Sequence, residues 1–196
     1  MEVGIPFSDP VADGPTIQRA SQVALERGVT VKAILELVGR VRRKHADLSL
    51  LLFTAYNPVF RFGEEAFVGA AAEAGVDGLL IPDLPPDEAA DLRHLTQARG
   101  LSLVFLVAPN STSARARMIC DVSTGFVYYI SLKGVTGARV DLPTDMEERV
   151  REIKQLTDKP VAVGFGVSGP EQARAIAAFA DGVIVGSALV RLIGEE

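Results

Sequence analysis

Short apolar runs alternate with segments of helical periodicity along the whole chain, and this alternation constrains the fold more than any other feature. The apolar runs predict strands at residues 2–7, 48–55, 78–82, 101–107, 125–131, 161–166 and 182–185. The segments between them predict helices at residues 16–27, 31–45, 63–74, 86–99, 111–122, 144–156 and 170–179, and a last helix that begins at Ser187. Gly75 and Gly100 each follow an apolar helix and precede a strand, which is typical of glycines that end helices.

Repeated strand–helix units form parallel sheets, so the pattern predicts a fold of the α/β class. Two architectures fit this pattern, a doubly wound sheet and a TIM (β/α)8 barrel that lacks a unit. The first strand–helix turn has no G-x-G-x-x-G, and polar residues and glycines follow nearly every strand rather than one switch point. We therefore predict an incomplete TIM (β/α)8 barrel. Residues 1–196 contain no linker, low-complexity segment or change of composition, and we expect them to form a single domain.

Charge and composition exclude several functions. The net charge of −5 is spread along the chain, and the basic run at residues 40–44 lies at a predicted helix end, so we expect no nucleic-acid partner. No apolar run approaches the roughly 18 residues that span a membrane, and no signal peptide is evident. Cys120 is the only cysteine, which indicates a reducing, cytoplasmic location and a small core residue. His45 and His94 have no second ligand at metal-binding spacing, so we expect no metal.

Glycine-bearing turns follow the last predicted strands. They are Gly134-Val135-Thr136-Gly137, Gly164-Phe165-Gly166 and Gly186-Ser187. Glycines leave backbone N–H groups open there, and the helix that begins at Ser187 would direct its positive N-terminus toward an anion held between the turns. Each glycine taken alone could instead serve only a tight turn. Taken together, the turns predict a phosphate site, and barrels commonly bind phosphate in this way.

Acidic residues mark the other end of the chain. Glu2 lies in an otherwise apolar strand, on the same face as Gly4. If that face is the barrel interior, burial would raise the pKa of Glu2 and let it give and take a proton near neutral pH. The alternative, which the sequence alone favours, is an exposed carboxylate at a frayed terminus. The loop at residues 8–15 carries Asp9 and Asp13 between prolines, and either acid could be merely a turn residue.

The run from Glu2 to Gln18, Glu-Val-Gly-Ile-Pro-Phe-Ser-Asp-Pro-Val-Ala-Asp-Gly-Pro-Thr-Ile-Gln, resembles the signature of the tryptophan synthase α subunit. The resemblance continues through the whole chain. It includes Tyr56-Asn57-Pro58-Val59-Phe60, Pro82-Asp83-Leu84-Pro85, Gly134-Val135-Thr136-Gly137-Ala138, Gly164-Phe165-Gly166 and Gly186-Ser187-Ala188.

This resemblance implies cleavage of indole-3-glycerol phosphate to indole and glyceraldehyde 3-phosphate, without a cofactor, in an α2β2 complex with a β subunit. It implies that Glu2 is the general acid–base that protonates C3 of indole and takes up the hydroxyl proton, and that Asp13 accepts the indole N–H. Asp9 matches an aspartate in the segment that communicates with the β subunit. Thr136 matches a threonine of the mobile loop that closes on the site. The implied substrate-binding residues are Tyr128, Thr136, Gly137, Phe165, Gly166, Gly186 and Ser187.

Some features depart from the pattern of that family. Ala55 stands where many members have a second tyrosine, which thins one aromatic wall of the indole pocket. The first strand with its helix and the final helix have no counterpart here, and a barrel without its first strand keeps unpaired strand edges. We therefore expect low stability and much reduced lyase activity. One alternative is a non-catalytic truncated barrel that only binds a β subunit or forms oligomers, and another is a phosphate-binding barrel isomerase of amino-acid biosynthesis.

Overall fold

A computed structural model describes residues 1–10, 13–130, 145–164 and 166–194. The chain divides into two compact units, Met1–Val104 and Phe105–Glu196. The first unit contains strands β1 (Glu2–Gly4), β2 (Leu51–Phe53), β3 (Gly78–Leu80) and β4 (Ser102–Val104), and helices α1 (Pro15–Glu26), α2 (Val31–Lys44), α3 (Tyr56–Phe62), α4 (Glu64–Glu73) and α5 (Ala90–Ala98). The second unit contains strands β5 (Leu106–Val107), β6 (Val127–Ile130), β7 (Val161–Gly164) and β8 (Gly182–Val183), and helices α6 (Ser113–Val122), α7 (Met146–Lys154), α8 (Pro170–Ala177) and α9 (Ser187–Gly194).

The first unit is built on a parallel sheet whose strand order, β1-β2-β3-β4, is the order of the strands in the chain. Leu52, Leu79 and Leu103 are register partners across its last three strands, and each is at most 2% exposed. Strands covered on both faces need such apolar residues at successive positions, which explains the apolar runs of the sequence.

The second unit repeats the arrangement in the order β5-β6-β7-β8, again with every pairing parallel. Tyr129 and Val163 are register partners in its core and are at most 3% exposed. A doubly wound sheet reverses its strand order at a switch point, whereas the strands of a barrel follow chain order. The prediction of an α/β fold with barrel-type strand order is confirmed. That the whole chain forms one domain stays a prediction.

Several predicted strands are shorter in the structure, such as β1 and β2, and two predicted elements differ further. The strand predicted at residues 101–107 is two strands, because β4 pairs with β3 whereas β5 pairs with β6. At the break, the Phe105 N–H donates to the Ser123 hydroxyl at 3.3 Å instead of to a strand. The helix predicted at residues 86–99 begins only at Ala90, because residues 86–88 form a turn. Asp91 therefore lies in the first turn of α5.

Helix α3 was not predicted from the sequence. It is short, with 7 residues, and it contains Pro58, which is tolerated only in the first turn of a helix. Its first residue, Tyr56, donates its backbone N–H to the Asp83 carboxylate at 2.8 Å. A carboxylate at a helix N-terminus both accepts an otherwise unpaired N–H and interacts favourably with the helix dipole. This acceptor comes from the segment after β3, so no local pattern announces it.

Two aspartates, which we call the strand-entrance acids, each precede a strand. Asp77 precedes β3, and its Oδ2 accepts the Leu50 N–H at 2.7 Å and pairs with the Arg42 guanidinium at 2.5 Å. Asp181 precedes β8, and its two oxygens accept the Val161 N–H at 2.9 Å and the Lys154 ammonium at 2.7 Å. The sequence placed Arg42 only in a basic run at a helix end. In the structure it also binds a strand-entrance acid.

The predictions for Gly75, Gly100 and Cys120 are confirmed. Gly75 and Gly100 have φ angles of +83° and +69°, as glycines that end helices do. Cys120 is a core residue with 1% exposure. Among the described residues, no helix is long and apolar enough to cross a membrane. Across the same residues, no group of three or more His, Cys, Asp or Glu is placed to hold a metal ion.

Candidate active site

The carboxyl ends of β1, β2 and β3 border an open cleft in the first unit, whose ≈ 370 Å³ of empty space includes open solvent. The described residues that line it are Ile5, Phe7, Pro10, Asp13, Phe53, Thr54, Ala55, Pro82 and Asp83. Most of them are apolar, and Asp13, Thr54 and Asp83 are the polar members. Barrels carry their active sites at the carboxyl ends of the strands, and an apolar cleft with a few polar groups suits a small organic ligand.

Asp13 lies in the turn between β1 and α1, where it is half-buried and lines the cleft. The Gln18 side chain donates from Nε2 to the backbone oxygen of Asp13 at 2.8 Å, and the Gln18 N–H donates to the Gly14 oxygen at 3.0 Å. These bonds fix the backbone of the turn without using the Asp13 carboxylate. Desolvation by burial raises the pKa of Asp13.

Glu2 lies in β1, opposite Leu51 of β2, and is half-buried. Its Oε1 atom is buried and has no hydrogen-bond partner among the described residues. Burial raises the pKa of Glu2, and the nearby N-terminal ammonium opposes this shift. The prediction of an exposed carboxylate at a frayed terminus, which the sequence alone favoured, is therefore wrong. Glu2 does not belong to the lining of the cleft that contains Asp13.

Thr54 and Asp83 line the cleft but were not singled out from the sequence as site residues. Thr54 directly follows β2 and is 1% exposed, and its hydroxyl donates to the Ala55 oxygen at 3.0 Å. Asp83 follows β3 and accepts the Tyr56 N–H. The signal that could have found them is their position, since both are polar residues just after a buried strand.

In the second unit, Tyr128 packs against Gly164. Tyr128 lies in β6 with 3% exposure, and Gly164 is the last residue of the adjacent strand β7. A Cβ atom on Gly164 would overlap the ring and hydroxyl of Tyr128. The close approach of an aromatic ring therefore requires glycine at position 164. The sequence analysis explained this glycine only by the open N–H groups of a turn.

The predicted phosphate residues fall partly within the described chain. Gly166 follows β7 with a φ of +83°, and Gly186 and Ser187 stand after β8 at the start of α9, all three exposed. The Gly186 oxygen accepts the Val190 N–H at 3.1 Å, which is the first hydrogen bond of α9. Thr136, Gly137 and Phe165 lie outside the described residues.

Asp9, predicted from the resemblance to communicate with a partner, is exposed in the turn after β1. Its Oδ2 accepts the hydroxyl of its neighbour Ser8 at 2.6 Å. Its position on the surface leaves it accessible to another chain.

Relatives match the whole of this chain. A family model described as tryptophan synthase alpha chain matches residues 1–196. The tryptophan synthase alpha chain of Aquifex aeolicus is 50% identical over 197 residues, which cover 100% of this chain and 75% of that protein. The tryptophan synthase alpha chain of a Geobacter species is 51% identical over 191 residues, which cover 97% of this chain and 71% of that protein.

Solved structures agree with these sequence relatives. A structure of the α2β2 tryptophan synthase complex of Pyrococcus furiosus superposes with a TM-score of 0.93 at 44% identity, and covers 99% of this chain and 78% of that chain. A structure of Mycobacterium tuberculosis tryptophan synthase gives a TM-score of 0.91 at 46% identity, and covers 99% of this chain and 74% of that chain. The alternative of a barrel isomerase finds no support among these relatives.

Proposed function

This chain belongs to the tryptophan synthase alpha chain family, and from that premise we propose that it cleaves indole-3-glycerol phosphate to indole and glyceraldehyde 3-phosphate. The observation that carries the proposal is the Glu2 carboxyl, whose Oε1 is buried without a partner among the described residues and whose pKa burial raises. An aromatic carbon is a poor proton acceptor, and water does not protonate it at a useful rate. A carboxyl group whose pKa is raised by burial favours its protonated form, and that form is a stronger acid than water.

In the proposed mechanism, the Glu2 carboxylic acid donates its proton to C3 of the indole ring, which leaves a positively charged indolenine. The Glu2 carboxylate then takes the proton of the neighbouring side-chain hydroxyl. As that proton leaves, the bond between C3 and the glycerol carbon breaks, and its electrons restore the aromatic ring. The hydroxyl-bearing carbon becomes the aldehyde of glyceraldehyde 3-phosphate. Glu2 ends the cycle protonated, as it began.

Asp13 is proposed to accept the indole N–H. Its carboxylate lines the apolar cleft, where a negative charge interacts with the developing indolenine cation more strongly than it would in water. Its backbone is already held by Gln18. The carboxylate therefore needs little reorganisation when charge develops on the ring.

Gly166, Gly186 and Ser187 are proposed to hold the phosphate with backbone N–H groups, and the N-terminus of α9 adds the positive end of a helix dipole. Tyr128 is proposed to form a wall of the substrate site in the same unit. Thr136, Gly137 and Phe165 complete the proposed set on the strength of the family resemblance alone. Phosphate binding far from the reacting carbon would fix the substrate for proton transfer.

A β subunit is the proposed partner, because the matched structures from Pyrococcus furiosus include an α2β2 complex. Asp9 is the proposed contact residue, since it is exposed in the turn that leads to Asp13. A contact there would act on the backbone that carries the proposed catalytic acid.

Release of indole from indole-3-glycerol phosphate tests the proposed reaction. We expect cleavage by the unmodified chain, loss of cleavage in Glu2→Gln, and a higher rate when a β subunit is added. Asp47→Asn is the matched control, because Asp47 is an exposed acid of the same unit. If the chain releases no indole but still raises the activity of a β subunit, the proposed lyase function is wrong, and the non-catalytic alternative holds.

A further inference from the structure

The wall of the cleft formed by the carboxyl end of β2 includes Ala55, and we call the space left beside its small side chain the gap. Among the described lining residues Ala55 has the smallest side chain; it follows Phe53 and Thr54 in the chain, and Asp83 from the next strand end also lines the cleft. Ala55 is half-buried and adopts an extended backbone conformation, with φ −70° and ψ 159°, at the start of α3. The side chain that lines the cleft at this position is therefore only a methyl group.

The aromatic side chain next to this gap does not fill it. Tyr56 is absent from the lining of the cleft. Its ring instead contacts the ring of Phe60, with 6.0 Å between centroids, and its hydroxyl donates to Glu64 at 3.1 Å. Both contacts lie along α3 and α4, so Tyr56 is held away from the space beside Ala55.

The wall on either side of the gap is fixed in place. Thr54 is 1% exposed and donates its backbone N–H to the Leu80 oxygen at 3.1 Å, which ties it to β3. The Tyr56 N–H donates to the Asp83 carboxylate at 2.8 Å, which ties the start of α3 to the segment after β3. Because the two neighbours of Ala55 are bonded to β3 and to the segment after it, moving the wall inward to close the gap would be costly.

We propose that Ala55 is a specificity-determining residue, whose small side chain lets the cleft accept an indole ring that carries one methyl-sized apolar substituent on its benzene portion. This inference rests on the proposed function, because it takes the cleft to hold the indole ring. Pockets discriminate by size when a larger group has no space, and one additional methylene group then changes kcat/KM by about 10- to 200-fold. The gap at Ala55 removes that penalty for a substituent that points toward it.

The test compares indole-3-glycerol phosphate with analogues that carry one methyl group at each benzene position in turn. In the unmodified chain, we expect at least one analogue to keep a kcat/KM within about threefold of the parent compound. In Ala55→Tyr, the same analogue should lose on the order of 10-fold or more relative to the parent. Ala98→Tyr is the matched control, because Ala98 is an exposed alanine outside the cleft, and it should leave the ratio unchanged.

Binding measured in the Glu2→Gln background separates this inference from the proposed function, because that variant should hold each substrate uncut. There we expect the same analogue to bind about as tightly as the parent, and Ala55→Tyr to weaken the analogue selectively. If the analogues bind in this pattern but the unmodified chain cleaves nothing, the proposed lyase function fails and the specificity role of Ala55 stands. Rejection of every analogue by the unmodified chain, or equal discrimination with Ala55 and with tyrosine, overturns the inference.

Discussion

Carboxylates stand in two contrasting surroundings in this chain. Glu2 and Asp13, in β1 and the turn after it, are partly buried, and their pKa values are raised chiefly by desolvation. The strand-entrance acids Asp77 and Asp181 each accept a backbone N–H at or just before the start of a neighbouring strand and pair with a cation. For Asp181, these bonds to Lys154 and Val161 lower the pKa.

We propose that the contrast separates groups placed for catalysis from groups that hold the fold. The Asp181 carboxylate, with a cation and an N–H donor, is stabilised as the anion, so it is a poor proton donor near neutral pH. A buried carboxyl that lacks them costs stability when charged but exchanges protons readily. In barrels, the carboxyl ends of the strands carry catalysis and the opposite ends carry stability. Asp13, after the carboxyl end of β1, and the strand-entrance acids follow this division, whereas Glu2 is the first residue of β1 and lies at the amino end of its strand.

Replacement of Glu2 by glutamine should have the largest effect. We expect kcat for indole release to fall by about 100- to 10,000-fold, because the amide cannot donate or take up the proton. The melting temperature at pH 7 should stay equal or rise, because the pKa of Glu2 is raised in the folded state and the charged form carries a desolvation cost. Indole release and thermal melting followed by circular dichroism measure both. A loss of activity that came with a lower melting temperature would break the contrast.

Replacement of Asp13 by asparagine should have the second-largest effect, a loss of about 100-fold in kcat. The amide keeps the size of the side chain but removes the negative charge that would stabilise the indolenine. Gln18 bonds to the Asp13 backbone oxygen, so the turn should keep its structure. Steady-state kinetics measures the loss, with Asp47→Asn as the exposed control. Equal turnover in both variants would remove Asp13 from the mechanism.

Replacement of Asp77 by alanine should act on stability and not on chemistry. It leaves the Leu50 N–H without its acceptor and removes the anionic partner of the Arg42 guanidinium, which keeps its bonds to backbone oxygens, at a cost of about 1–2 kcal/mol after allowance for solvent screening. For a chain of this size, each kcal/mol corresponds to about 2–4 °C in Tm. Thermal melting of Asp77→Ala measures this loss of stability, with Asp47→Ala as the exposed control. A fall in kcat with an unchanged Tm would contradict the assignment of Asp77 to the fold.

Replacement of Asp181 by asparagine should have the smallest effect, and one that depends on pH. The pKa of Asp181 is lowered in the folded state, so its contribution to stability is complete above the ordinary aspartate value of about 3.9. That contribution is lost as the pH falls through the lowered, folded-state value. The Tm difference between the unmodified chain and Asp181→Asn should therefore be constant above about pH 5 and vanish in strong acid. A Tm difference that grew as the pH fell would contradict this role of Asp181.

Local periodicity predicted most of the helices and strands because each is amphipathic or apolar in its own sequence. Local periodicity failed where a residue distant in the chain determines where an element begins or ends. The start of α3 depends on Asp83, and the break at Phe105 depends on a change of partner strand. Neither partner is visible in the local pattern.

The candidate site was predictable to a smaller extent. The family resemblance singled out Asp13, and the structure places it in the cleft. The burial of Glu2 could not be predicted, because alternation gives the face of a residue but not what covers that face. Thr54 was missed because one threonine at the end of an apolar run is a weak signal.

The most direct test is a carbon-13 NMR titration of the Glu2 carboxyl in the folded chain, with Glu2→Gln to assign its signal. The central claim is that burial raises the pKa of this carboxyl and so favours the protonated form that can donate a proton. We predict an apparent pKa above the ordinary glutamate value of about 4.3. An apparent pKa at or below that value would show an ordinary, solvated carboxylate and would contradict the account.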